Sequence, residues 1–155
     1  MKNRQVGEGN IKIGLEEIEE VSSYVYLGQE ITMEHAISCE LSRRRKAAWM
    51  SYSTISEAAT TTNDPRLQTH LFNTTVLPAL LYGSETWSLT KADEQKLAVT
   101  ERAMERRMLK VTRRDKISNE HLQEISKVKD AVVKAAKNKH QWAGHMIWRD
   151  DGCWT

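Results

Sequence analysis

Disulfides, tight turns and long apolar runs are what this sequence has least of. Two cysteines, Cys39 and Cys153, stand far apart and make no disulfide framework, which points to a reducing, intracellular compartment, cytoplasm or nucleus. Seven glycines and two prolines among 155 residues argue against an all-β sandwich, which would need many tight turns. No apolar stretch nears the ~18 residues of a membrane span. Met1 to Gly14 is polar and charged, so no signal peptide is expected. Aromatic residues make up only 6%, and half of them are tryptophan. Neither a glycine-rich phosphate loop nor a nucleophile elbow is present. Adjacent acids do occur, as in Glu16-Glu17, Glu19-Glu20, Asp93-Glu94 and Asp150-Asp151. Neighbours on a strand or helix point in different directions, so such pairs read as solvated surface rather than as metal ligands. His35 with Cys39, and His140 with His145 and Cys153, fall short of a four-ligand zinc set. Cys39 reads as a small core hydrophobe.

Net charge is +2, but it is unevenly spread. Residues 1–40 carry a net of -5, residues 41–60 +3, residues 61–90 -1 and residues 91–149 +7. An acidic front and a basic back fit a partner that brings phosphates to the back half; Lys and Arg that merely solvate helices fit too.

The apolar period changes along the chain. Ile11-Lys12-Ile13 alternates, Gly14 punctuates, and Tyr24-Val25-Tyr26-Leu27-Gly28 is aromatic and β-branched, which predicts short strands separated by turns. From Glu34 to Ala58 the spacing of Ile37, Leu41, Ala48, Trp49, Tyr52 and Ile55 predicts one long amphipathic helix, ended by Thr60-Thr61-Thr62. Asp64-Pro65 starts the next helix, and Pro78 should kink or stop it near Val76. Leu77 to Tyr82 is the most apolar stretch and belongs at the centre of the core. Thr90 with Asp93 opens a third helix whose apolar face runs through Leu97, Met104, Met108 and Val111. Ser118 caps a short helix with Leu122, Ile125 and Val128, and Asp130 caps a last one with Val132, Ala136, His140, Ala143 and Ile147. The expected fold is mainly α: a small N-terminal β-ribbon followed by a bundle of about five helices. Its expected core includes Leu41, Trp49, Leu71, Leu77, Leu80, Leu81 and Met104.

Two basic features stand out. Arg43-Arg44-Arg45-Lys46 wraps the first long helix, with Arg44 and Arg45 flanking the apolar seam and Arg43 and Lys46 further out. Arg suits bidentate phosphate contacts, and equally its aliphatic stem can cover an apolar seam. The second is the run of Arg102, Arg106, Arg107, Lys110, Arg113 and Arg114, with Lys134, Lys137 and Lys139 beyond. Trp87, Trp142, Trp148 and Trp154 either stack bases or fill a core or interface, and helical spacing favours the latter.

Tyr24-Val25-Tyr26-Leu27-Gly28, Arg43 to Trp49, Leu77-Pro78-Ala79-Leu80-Leu81-Tyr82-Gly83-Ser84-Glu85-Thr86-Trp87 and Trp142-Ala143-Gly144-His145 occur in an order that resembles the C-terminal part of a reverse transcriptase from a non-LTR (LINE-type, RTE-like) retrotransposon. The resemblance covers nearly the whole chain. It implies an RNA-directed DNA polymerase fragment. Residues 1–31 would be a ribbon from the end of the palm with its primer grip. Residues 32–115 would be a thumb-like helical region, and residues 116–155 a C-terminal extension that reads as truncated. Tyr26, Leu27 and Gly28 would then lie near the primer 3′ end, and the thumb helices, with Arg43, Arg44, Arg45 and Lys46, would grip the RNA/DNA primer–template duplex by its phosphates, without sequence preference.

The resemblance also fixes what is missing. Such polymerases hold two metal ions, Mg in the parent enzyme, with carboxylates that include an Ala-Asp-Asp motif, and these residues lack it. No catalytic or metal-binding residue and no cofactor is therefore expected in this chain, and it should not polymerise DNA alone. A palm-containing polymerase segment is an expected partner, and a membrane is not. Two other readings stand beside this one: a helical protein-interaction module, or a remnant without function.

Overall fold

The computed structural model describes residues 12–18, 21–26, 29–32, 37–62 and 64–148. Two antiparallel hairpins come first. Strand β1 (Lys12–Ile13) pairs with β2 (Glu16–Glu17), and between them Gly14 takes φ +65°, a left-handed conformation that glycine adopts without a Cβ penalty. Strand β3 (Ser23–Tyr26) pairs with β4 (Gln29–Thr32), with Tyr24 opposite Ile31 and Val25 opposite Glu30. Tyr24, Val25 and Tyr26 are all exposed. Successive strand residues point to opposite faces, so both faces of this second ribbon stay open.

The rest is helical. Helix α1 (Ile37–Thr61) buries Leu41, Ala48, Tyr52, Ile55 and Ala59 along one face. It runs past the expected end at Ala58, because the Thr60 hydroxyl donates back to the Ser56 carbonyl at 2.7 Å and the helix absorbs it. Helix α2 (Pro65–Leu71) starts where Asp64 accepts the Arg66 N–H at 2.9 Å. It continues without a break through a π-helical turn (Phe72–Val76) into α3 (Leu77–Leu80). The expected stop near Val76 is thus a change of register. Pro78 has no N–H to give the carbonyl four residues back, and the wider turn lets the Leu77 N–H reach the Phe72 carbonyl, five residues back.

Gly83, at φ +77°, turns the chain into a 3₁₀ turn (Ser84–Thr86) and buried Trp87. Helix α4 (Lys91–Met108) opens with the predicted capping box between Thr90 and Asp93. It ends sooner than the sequence predicts. Lys110 adopts φ +57°, so Val111 lies beyond the helix and off its apolar face. Helix α5 (Asn119–Ser126) is capped by Ser118, and in α6 (Ala131–Trp148) Asp130 accepts the N–H groups of Val132 and Val133. Counting α2 to α3 as one rod, the described residues form five helical rods, in line with a mainly α fold behind a small ribbon.

The core holds Leu41, Phe72, Val76, Leu77, Leu80, Leu81, Leu97, Met104 and Met108. Trp49 and Leu71, expected inside, are only partly buried at its border. Tyr82, expected at the core's centre, is 53% exposed. On α6 the buried positions are Ala131 and Ala135, whereas Ala136, His140 and Ile147 face solvent. Small alanines let α6 lie close. It is then fastened to the turn before α4, where the Asn138 amide donates to the Ser84 hydroxyl and the Lys139 ammonium to the Trp87 carbonyl, both at 3.1 Å.

Candidate nucleic-acid interface

The four-residue basic run on α1 is not four equivalent cations. Glu40, one turn earlier and 3% exposed, collects two of them. Its Oε2 accepts from Arg43 Nε and Nη2 at 3.1 and 2.9 Å, and its Oε1 from Arg44 Nε at 2.6 Å. The Glu30 backbone N–H of β4 donates to Oε2 at 3.0 Å, so the same carboxylate ties the ribbon to α1. Burial pushes the Glu40 carboxyl up, but the Glu30 N–H and the two guanidinium groups outweigh it and hold it below the ordinary glutamate range.

Arg44 was expected to flank the seam beside Arg45. Its side chain is instead only 11% exposed, ion-paired to Glu40, with the guanidinium 4.6 Å above the Tyr82 ring. Arg43 is partly exposed, whereas Arg45 and Lys46 are exposed and make no ion pair among the described residues. Arg43 and Lys46 line a recess of about 440 Å³ with Glu30, Ser38 and Cys39. Cys39 is therefore a surface residue and not the core hydrophobe its chemistry allowed. One residue decides this: Leu41, two positions on, takes the buried face. Tyr26 reaches a second, more apolar groove of about 720 Å³, shared with Ile31, Pro78, Tyr82 and Lys134. The structure thus brings Tyr26 and the 43–46 run to neighbouring places, joined through Glu30, Glu40 and Tyr82. Leu27 and Gly28 lie outside the described residues.

The other basic run divides in the same way. Arg102, which reads as a surface cation, is 8% exposed. It donates to Glu105 and, at 3.1 Å, to Asp130, and passes 3.8 Å from Glu101. Arg106 donates to Asn119 Oδ1 at 2.8 Å and the Ile117 carbonyl at 3.3 Å, while Arg107 and Lys110 are exposed. Of the tryptophans, Trp87 is buried, Trp142 and Trp148 are exposed at 48% and 87%, and Trp154 lies outside the described residues. Sequence reasoning missed Glu40 and the Glu101–Arg102–Glu105–Asp130 cluster. The i,i+3 and i,i+4 spacing of Glu40 to Arg43 and Arg44 was the available signal.

Among the described residues no three His, Cys, Asp or Glu side chains gather as a metal site. No described helix is long and apolar enough to cross a membrane. What the arrangement offers is a cationic surface set beside an aromatic ribbon.

The chain is 34% identical, over 143 residues, to an uncharacterized transposon-derived protein of Caenorhabditis elegans. The alignment covers 90% of this chain and 51% of that relative, so the chain spans about half of the relative's length. No protein-family model and no solved structure matches the chain.

Proposed function

We propose that this chain is the duplex-gripping, thumb-like part of a retrotransposon reverse transcriptase, an RNA-directed DNA polymerase. It would hold primer–template by phosphate contacts and carry none of the catalytic carboxylates itself. The observation that carries this reading is Glu40. By binding Arg43, Arg44 and the Glu30 N–H, it sets the Tyr26 ribbon against α1 while Arg45 and Lys46 stay exposed on the same turn. A transposon-derived relative over 90% of the chain supports the origin, and the ordered motifs support the position within a polymerase. Arg45 and Lys46 would meet phosphates as charges, displacing counterions, so binding is sequence-tolerant and weakens as salt rises.

The test is fluorescence anisotropy with a labelled RNA–DNA primer–template across a salt series. Arg45→Glu with Lys46→Glu should cost about tenfold or more in affinity and flatten the log–log salt slope by about two. Both residues are exposed, so circular dichroism should be unchanged. Unaltered affinity in the double variant, or none in wild type at low salt, defeats the reading. Incorporation of labelled nucleotide by the purified chain would defeat its non-catalytic half.

A further inference from the structure

A groove of about 700 Å³ lies on the far basic run, between α4 and the connection to α5. Its walls are of two kinds. Val99, Ala103, Val111 and Ile117 give an apolar surface, and Arg106 and Arg107 give charge. Val99 is 56% exposed, an apolar side chain open to water in a cationic setting. Arg106 is held in place by Asn119 Oδ1 and the Ile117 carbonyl, both neutral oxygens, so it is oriented without being neutralised. Arg102, in the same wall, is already matched by Glu105 and Asp130.

Residues 106–116 carry six Lys and Arg against a single acid, Asp115. Asp115 is engaged locally, accepting the Thr112 N–H at 2.6 Å and its hydroxyl at 2.9 Å. Cations do favour a helix C-terminus, but the macrodipole there amounts to only about half a charge, far less than this excess. The surplus suits an anionic partner, and the apolar wall favours one kind. A duplex shows a groove of this type phosphates and sugars and hides its base faces. A single strand shows phosphates and base faces together.

We propose that this groove is a second nucleic-acid site, specific for single-stranded RNA or DNA, with phosphates on Arg106 and Arg107 and bases against Val99, Val111 and Ile117. The inference rests on the reading of the chain as a nucleic-acid-binding fragment, and adds to it a site on a different helix with a different substrate form. A grip with both sites holds the duplex at α1 and unpaired template at the end of α4.

Anisotropy with labelled oligo(U) and with the labelled duplex tests this. Val99→Glu puts a carboxylate in the groove without touching the core, and Arg107→Glu reverses a charge at its rim. Each should weaken oligo(U) binding by about tenfold and leave duplex affinity nearly unchanged. Val99→Gln, the neutral isostere of the added side chain, should keep most of the oligo(U) affinity. Arg45→Glu with Lys46→Glu should do the reverse, losing duplex and keeping oligo(U). If the groove variants bind oligo(U) as wild type does, or if polyglutamate competes as well as oligo(U), this site assignment falls while the duplex reading stands. If wild type binds neither probe in dilute salt, both fall.

Discussion

Glu40 on α1 and Glu101 on α4 are both buried, at 3% and 0% exposure, and both sit beside arginine. Among the described residues Glu40 accepts four hydrogen bonds, three of them from guanidinium groups. Glu101 accepts one among the same residues, from the Ala131 N–H at 3.1 Å, and its Oε1 has no hydrogen-bond partner there. The outcomes diverge accordingly. Donors overcome burial at Glu40 and hold its carboxyl below the ordinary glutamate range, while burial dominates at Glu101 and pushes its carboxyl up to about 8, with Glu105 one turn away adding repulsion. Burial alone does not set the charge state; the number and charge of the donors brought to the oxygen do. The two acids also do different work. Glu40 fastens an exposed ribbon, and Glu101 holds the first turn of α6 against the middle of the bundle.

Removing Arg102 is the hardest blow to that second cluster. Among the described residues it is the one cation paired with Glu101, Glu105 and Asp130, and burial already pushes Glu105 up in spite of it. Arg102→Met should cost about 3–5 kcal/mol, since it strands carboxylates in a buried site. Urea unfolding checks it, and the loss should be larger at pH ~8 than at pH ~5, where the acids can protonate. Equal stability of variant and wild type at both values would mean that the cluster carries no net charge to balance.

Glu101 itself gives the next largest effect. Its folded-state pKa, about 8, lies above the ordinary 4.5. Between those values the folded chain keeps a proton that the unfolded chain has released. Its contribution is therefore full below about 4.5, declines as pH rises, and levels off above about 8, a loss on the order of 3 kcal/mol by neutrality. Glu101→Gln removes this slope. Melting temperatures of the two proteins should converge near pH ~4.5 and separate toward pH ~8, with the glutamine form higher. Parallel curves would show Glu101 ionised throughout and close the contrast with Glu40.

Local chemistry made much of the fold legible. Asp64, Thr90, Ser118 and Asp130 cap helices where short polar side chains precede apolar periods, and each cap depends only on nearby atoms. The β-ribbon followed the aromatic and β-branched run in the same local way. What misled was anything settled by tertiary packing. The helical spacing sets Arg44 beside the apolar seam as the companion of Arg45, yet Arg44 is fixed by Tyr82, thirty-eight positions on, and Arg102 by Asp130, twenty-eight on. Pro78 forbids one hydrogen bond but does not say that a π-helical turn will take up the slack. Cys39 and Leu41 are equally apolar in principle, and only the direction of the α1 face decides which is inside.

The mildest perturbation tests the ribbon end of the comparison. Glu40→Gln keeps an oxygen for the Glu30 N–H and loses the charge that holds Arg43 and Arg44. Hydrogen bonds to charged groups are worth more than neutral ones, so about 1–2 kcal/mol should go, part of it recovered as Arg43 turns to solvent. Because the wild-type pKa is lowered, the stabilisation is complete above the ordinary 4.5 and fades as pH falls through the depressed value, the opposite sense to Glu101. The loss should be local. Amide exchange at Glu30 should quicken while exchange at Leu97 and Met104, deep in α4, stays slow. If α4 amides quicken equally, the ribbon and the bundle are one cooperative unit, and Glu40 is a core residue rather than a fastener.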